Sequence, residues 1–344
     1  MSVKSAVPSL PGSDRVDSSV RLLPGLVVAA AVAAVSLPLG RLAPQIGAPV
    51  IALALGVAIS SLRPRAPVLD AGLSFAGRYV LQAAVVALGA TLSLGRVASV
   101  GRASLPVLLG TLGAALVAAL AGGALLRVPG RLTTLVGVGT GICGASAIAA
   151  VSGIVAATEA EIAYAVTTVF AFNLVAIAVF PALGHLLGLS QSAFGLWAGT
   201  AINDTSSVVA AAYSFGSNAG AQAVVVKLTR TLAILPIAGA LTLIALRRAG
   251  RTTTVAWSRI VPWFLLVFVA AAALQTAGGI PRGLDPALRS LAEALITVAL
   301  AAIGLATRLG ALRSTGLRPL LLGALVWIAV AVTSLGLQRA TGVW

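Results

Sequence analysis

Gly137-Val-Gly-Thr-Gly-Ile-Cys-Gly-Ala-Ser-Ala-Ile-Ala-Ala150 and Gly199-Thr-Ala-Ile-Asn-Asp-Thr-Ser-Ser-Val-Val-Ala210 align at an offset of 60 residues, sharing Gly-Thr-x-Ile and a downstream Ser. Each lies inside a long apolar run, yet neither reads as an ordinary helix. The first packs four glycines into eight residues (Gly137, Gly139, Gly141, Gly144), each costing about 1 kcal/mol relative to Ala in a helix interior. The second carries five consecutive polar side chains, Asn203 to Ser207, a run that is expensive in hydrocarbon and marks a functional site by default. In lipid, a broken backbone survives only where it is buried in protein or lines a polar cavity. A break also leaves free N–H donors and the positive end of a helix dipole at the start of the next half-helix, which suits an anion. The pattern therefore predicts two discontinuous helices meeting at mid-bilayer. The competing reading of the glycine run is a small-residue face for helix packing.

The rest of the chain supports a membrane setting. Of 344 residues, 59% are apolar and only 9% charged, against roughly a quarter charged in soluble domains. The mean hydropathy is +1.07. This composition excludes a soluble enzyme, a disordered chain and a nucleic-acid-binding domain, although the net charge is +15. One His, one Cys and one Met leave no disulfide framework and no usual ligand set for zinc, haem or iron–sulfur clusters. No cofactor, metal or catalytic residue is expected. His185 lies between two apolar runs and reads as a boundary residue, and the glycine run lacks the Gly-Lys-Ser ending of a phosphate loop.

Residues 1–21 read as a polar tail and 22–344 as a single transmembrane domain. Apolar runs fall at 22–39, 49–62, 72–94, 103–126, 132–157, 162–187, 192–215, 219–246, 257–277, 284–306 and 318–337, about eleven transmembrane segments. A cleavable signal ending near Ala31–Ala33 is the rival reading of the first run. With the N-terminus inside, inside segments hold fourteen Lys or Arg and outside gaps hold six. That bias predicts a cytoplasmic N-terminus and an external C-terminus. A re-entrant segment would reverse the sides of everything after it.

Ala87-Leu-Gly-Ala-Thr-Leu-Ser-Leu-Gly95 is echoed by Ala302-Ile-Gly-Leu-Ala-Thr-Arg-Leu-Gly310, and Pro106-Val-Leu-Leu-Gly110 by Pro319-Leu-Leu-Leu-Gly323. The copies sit an odd number of spans apart, so they run in opposite directions, as in the inverted repeats of secondary transporters. Core helices are expected over about 131–246, with repeat-related pairs over about 72–126 and 284–337. Three basic residues, Arg78, Lys227 and Arg230, lie within apolar runs. Lys227 and Arg230, three apart, share one helix face and either neutralise Asp204 or supply positive potential to an anionic substrate. Glu293 is a further intramembrane acid. Arg78 reads as snorkelling from a helix end.

Gly139–Ala150, Pro181–Leu189, Phe194–Thr205 and Val226–Arg230 together resemble the YeiH-type family of sulfate exporters, and the resemblance extends from about Gly72 to the last helix. It implies an all-α, inverted-repeat transporter of the bacterial inner membrane, with crossed broken helices and an elevator-like cycle. That superfamily includes bile-acid symporters and cation/proton antiporters. Family members carry His-Asp where this chain has Asn203-Asp204, so coupling here would rest on Asp204 or another acid. On this reading Thr140, Gly141, Cys143, Gly144 and Ser146 hold a small inorganic or organosulfur anion. Asn203, Thr205 and Ser206 complete the cage, Lys227 and Arg230 supply charge, and Asp204 and Glu293 serve protons or a coupling ion. A homodimer is compatible with such a cycle, and no residue fixes it. The alternative is a sodium/proton antiporter with Asn203-Asp204 as its ion site.

Overall fold

The computed structural model describes residues 13–42, 47–62, 66–249, 263–307 and 316–344. Residues 1–12 of the polar tail lie outside these, as do the basic residues Lys4, Arg63, Arg65, Arg251, Arg259, Arg308 and Arg313. The described chain is an all-α polytopic membrane protein. Helices satisfy their own backbone groups, which is what a bilayer demands of a spanning segment. Helix α1 (Ser13–Leu42) begins within the predicted tail and runs on into the first apolar run. It is followed by α2 (Ala48–Leu62), α3 (Asp70–Phe75), a π-helical turn over Ala76–Val80, α4 (Leu81–Gly89) and α5 (Leu94–Leu125). Then come α6 (Gly130–Gly141), α7 (Ala145–Ser152), α8 (Glu159–Leu186), α9 (Gln191–Ala201) and α10 (Thr205–Phe215). The chain continues with α11 (Ser217–Thr231), α12 (Ile234–Ala249), α13 (Trp263–Thr276), α14 (Asp285–Ala306) and α15 (Leu317–Ala340).

Seven stretches are long and apolar enough to cross a membrane, and Ala48–Leu62 and Trp263–Thr276 are shorter apolar helices. The two interrupted segments, α6–α7 and α9–α10, bring the apolar segments to the expected eleven, and both fold back on themselves. Gln191, at the start of α9, accepts through Oε1 from the backbone N–H of Asn218 at 3.0 Å, just past the end of α10. The Phe215 ring that ends α10 stacks on Phe194 of α9 at 3.9 Å and on His185 at the end of α8 at 4.3 Å. The second segment therefore leaves by the face it entered. In the first, Gly139 of α6 packs on Ile148 of α7. Glu161 in the first turn of α8 feels the charge of Arg131 in the first turn of α6, so α8 starts on the face where α6 started.

Among the described residues this leaves seven spans, two shorter apolar helices and two re-entrant hairpins, one on each side of the span α8. The two reversals cancel, so the segments after α10 keep the sides that uninterrupted crossings would give them. The gaps whose side changes, 153–158 and 187–190, contain no Lys or Arg, which is why the charge count could not register the change.

Two bundles result. Buried side chains of α1, α2, α3 and α14 form one core (Ala29, Ala52, Leu73, Ala301), continued through α4 and α13 by Leu88, Phe268 and Ile296 in a cluster that also takes in Val209 and Ala210 of α10 and Val224 and Val225 of α11. The hairpins pack with α5, α8 and α15 around Ala115, Val136, Val169, Trp197 and Val326. Glycines allow the closest approaches, as where Gly304 of α14 meets the α2 backbone at Leu53 and Gly56. The helices that carry Pro106 and Pro319 pack against each other. Helices α5 and α15 run antiparallel, with Gly110 against Leu337 and Gly122 against Leu322 and Leu325. Gly323, the counterpart of Gly110 in the echo, instead faces Thr168 and Phe172 of α8.

Candidate functional site

The glycine run does not break α6. Gly137 and Gly141 face Ala119 and Ala115 of α5, and Gly139 faces Ile148 and Val169, so three of the four glycines serve close packing and α6 stays helical through Gly141. The break follows, at Ile142-Cys143-Gly144, where Gly144 has φ +68 and ψ −130. Only a residue without Cβ adopts that conformation at low cost. Helix α7 then starts at Ala145 with no side-chain cap. In the second hairpin α9 ends at Ala201, the chain turns through Ile202-Asn203-Asp204, and α10 begins with Asp204 as its N-cap. The Asp204 Oδ2 accepts from the Ser207 N–H at 3.2 Å and from the Ser206 hydroxyl. Its Oδ1 is buried without a partner.

Lys227 and Arg230 of α11 join the two tips. Lys227 Nζ donates to the Ile142 carbonyl at 2.9 Å and to the Ile202 carbonyl at 2.8 Å. Arg230 donates through Nη2 to the Thr140 carbonyl at 3.2 Å and through Nη1 to the Thr200 carbonyl. Thr140 and Thr200, and Ile142 and Ile202, are the same pairs that align at the 60-residue offset. One helix face thus binds equivalent carbonyls at the C-terminal ends of α6 and α9, where the helix dipole is negative. Lys227 is 0% and Arg230 1% exposed, and neither lines the cavity described below. The tip is also tied to α8, where Asn173 Oδ1 accepts from the Asn203 N–H at 2.9 Å.

A cavity of about 810 Å³ opens beside the tips, between the two bundles. Cys143, Ala145, Ser146 and Ala149 line it from the first hairpin, Asp204, Thr205 and Ser206 from the second. Arg78, Gln82 and Val85 face them from the α3–α4 segment, and Trp263 and Phe264 from α13. Of the predicted site residues, Cys143, Ser146, Asp204, Thr205 and Ser206 share this cavity. Thr140, Gly141 and Gly144 shape the first tip behind it. Asn203 is fully buried, with both amide atoms lacking partners. Glu293 is exposed on α14 and is not among the lining residues.

Sequence reasoning missed Arg78, Gln82 and Asn173. The span holding Arg78 begins at Pro67 rather than Gly72, which puts the guanidinium well inside the helix. A charge at that depth is itself the signal; placing the helix start five residues late hid it.

Residues 24–323 match the model of a family described as conserved hypothetical protein 698. The chain belongs to that family. The match bears out the resemblance to YeiH-type proteins drawn from the four motifs. Several bacterial relatives run almost end to end with this chain. A UPF0324 membrane protein of Streptococcus pyogenes serotype M6 is 41% identical over 334 residues, covering 94% of this chain and 98% of its own. One from Streptococcus agalactiae serotype V is 39% identical over 330 residues, with the same coverage. One from Streptococcus pneumoniae R6 is 40% identical over 327 residues, covering 93% and 97%. These relatives are named as membrane proteins. No solved structure matches the chain.

Proposed function

We propose that this protein is a secondary transporter that exports a small sulfur oxyanion, such as sulfate, sulfite or a sulfonate, across the bacterial inner membrane. The observation that carries the reading is the contrast at the tips: α10 is capped by Asp204, whereas α7 starts uncapped and presents Ala145 and Ser146 to a cavity that Arg78 and Gln82 also line. An oxyanion seated there would receive backbone N–H donors and the Ser146 hydroxyl. Two re-entrant tips locked together by Lys227 and Arg230, beside a second bundle, suit a carrier whose hairpin body moves as one against the other. The face from which the first hairpin enters is the cytoplasmic one on this reading, since it carries the Lys and Arg excess. Asp204, half-buried with one partnerless oxygen, is the group that would exchange a proton during the cycle.

That same oxygen favours a second reading, a sodium/proton antiporter centred on Asp204. Thermal unfolding of the purified protein with sulfate, sulfite, taurine, sodium and stepped pH separates the two, because only a ligand that prefers the folded state raises stability. Stabilisation by sulfite or sulfate at constant sodium supports the anion carrier. Stabilisation by sodium alone, lost in Asp204→Asn, supports the antiporter.

A further inference from the structure

We propose that Arg78, assisted by Gln82, is the specificity-determining cation of the cavity and selects an oxyanion that offers two oxygens to one guanidinium. This rests on the anion-carrier reading and adds to it a residue on the bundle opposite the hairpins.

The argument begins with where positive charge is available. Lys227 and Arg230 are buried against tip carbonyls and cannot reach a ligand without releasing them. Among the residues lining the cavity, Arg78 is the one cation and Asp204 the one acid. Arg78 is exposed, and among the described residues it makes no ion pair; its guanidinium lies 5.4 Å from the Tyr79 ring centroid. Among the described residues no hydrogen bond engages its fork, and the fork edge is what matches two oxygens of a carboxylate, phosphate or sulfur oxyanion.

The backbone points the same way. Arg78 sits at the centre of the π-helical turn Ala76–Val80, a local expansion found mostly as single turns at functional sites. Gln82, four residues on, also lines the cavity, and its amide oxygen is buried without a partner. A buried polar atom left unpaired is costly; this one is an acceptor that a water completes, and the amide Nε2 is the donor that an anion would use. Across the cavity stand the hydroxyls of Ser146 and Thr205, beside Asp204, whose Oδ2 accepts from the Ser206 hydroxyl and the Ser207 N–H. The ligand class that fits is a small three- or four-oxygen anion held between a fork on one bundle and donors on the other. A halide would meet the charge but not the fork.

An anionic lipid headgroup has the same chemistry, so the test separates the two sources. Full-length protein in uncharged detergent is titrated with sodium sulfite and, separately, sodium chloride at constant ionic strength, read by calorimetry and thermal unfolding. The wild type is expected to bind sulfite in preference to chloride. Arg78→Gln should weaken sulfite by about tenfold or more, a loss of order 1.4 kcal/mol, with the ligand-free unfolding temperature unchanged. Arg78→Lys should keep affinity for chloride while losing preference for sulfite, and Gln82→Leu should weaken sulfite about threefold. Unaltered sulfite binding in Arg78→Gln overturns the proposal while the carrier reading stands. Absence of any oxyanion binding to the wild type overturns both. Stabilisation of wild type, but not of Arg78→Gln, by phosphatidylglycerol without any sulfite effect assigns Arg78 to a headgroup and also overturns the proposal.

Discussion

The two hairpins are built on one plan and finished differently. Each ends its incoming helix on carbonyls held by Lys227 and Arg230, at Thr140 and Ile142 in the first and at Thr200 and Ile202 in the second. After the turn they diverge. The position that is Asp204 in the second hairpin is Gly144 in the first, so one outgoing helix carries a built-in carboxylate and the other carries none. A helix N-terminus attracts negative charge; the second hairpin meets that demand internally, and the first leaves it to a guest. The comparison teaches that the negative helix ends do structural service, whereas the positive ends are where function can reside.

The harshest way to break the comparison is to remove what the hairpins share. Lys227→Met leaves the Ile142 and Ile202 carbonyls buried and unpaired. Hydrogen bonds to a charged group are worth about 1.5–3 kcal/mol each, so a loss of at least about 3 kcal/mol is expected. Thermal unfolding in detergent should show a large drop or failure to purify as a monodisperse species. The next test makes the hairpins alike: Ala145→Asp gives α7 a first-turn carboxylate at an exposed position. Sulfite binding should fall more than about tenfold while the unfolding temperature holds or rises, since an acid in the first turn contributes about 0.3–1 kcal/mol. A variant that still binds sulfite normally would place the anion elsewhere.

Asp204→Asn sharpens the difference from the other side. Asn caps helices about as well as Asp, so stability should change by less than about 1 kcal/mol, whereas the dependence of sulfite flux on the pH gradient in proteoliposomes should disappear. The mildest change is Ser146→Ala, which removes one hydroxyl from the cavity wall. A loss of about threefold in sulfite affinity, near 0.6 kcal/mol, with unchanged folding is the expected calorimetric result.

Much of this architecture is legible in the residues, and the failures have specific causes. The apolar runs, the interruptions near 142–144 and 202–204 and their 60-residue relation can be read because lipid imposes a local rule on each segment. The glycines pack helices where the sequence suggests that they break one. A Gly reads the same way whether it interrupts a helix or lets another backbone approach, and only the neighbours Ala115, Ala119 and Ile148 decide. Lys227 and Arg230 stand out in the sequence as buried cations, but the nearest counter-charge it offers them is Asp204. Their observed partners are four backbone carbonyls, and carbonyls carry no sequence signature.

Segment length and hydrophobicity follow from the residues alone, because each depends on what one stretch can bury. Whether an interrupted segment crosses or turns back was decided only in three dimensions. The two gaps that would have reported it hold no basic residue, and the hairpins are set by contacts between residues far apart in the chain, Gln191 with Asn218 and Lys227 with Ile142 and Ile202. Likewise, the meeting of Arg78 with the hairpin tips across one cavity depends on how two bundles pack, and that is a property of their surfaces together rather than of either stretch by itself.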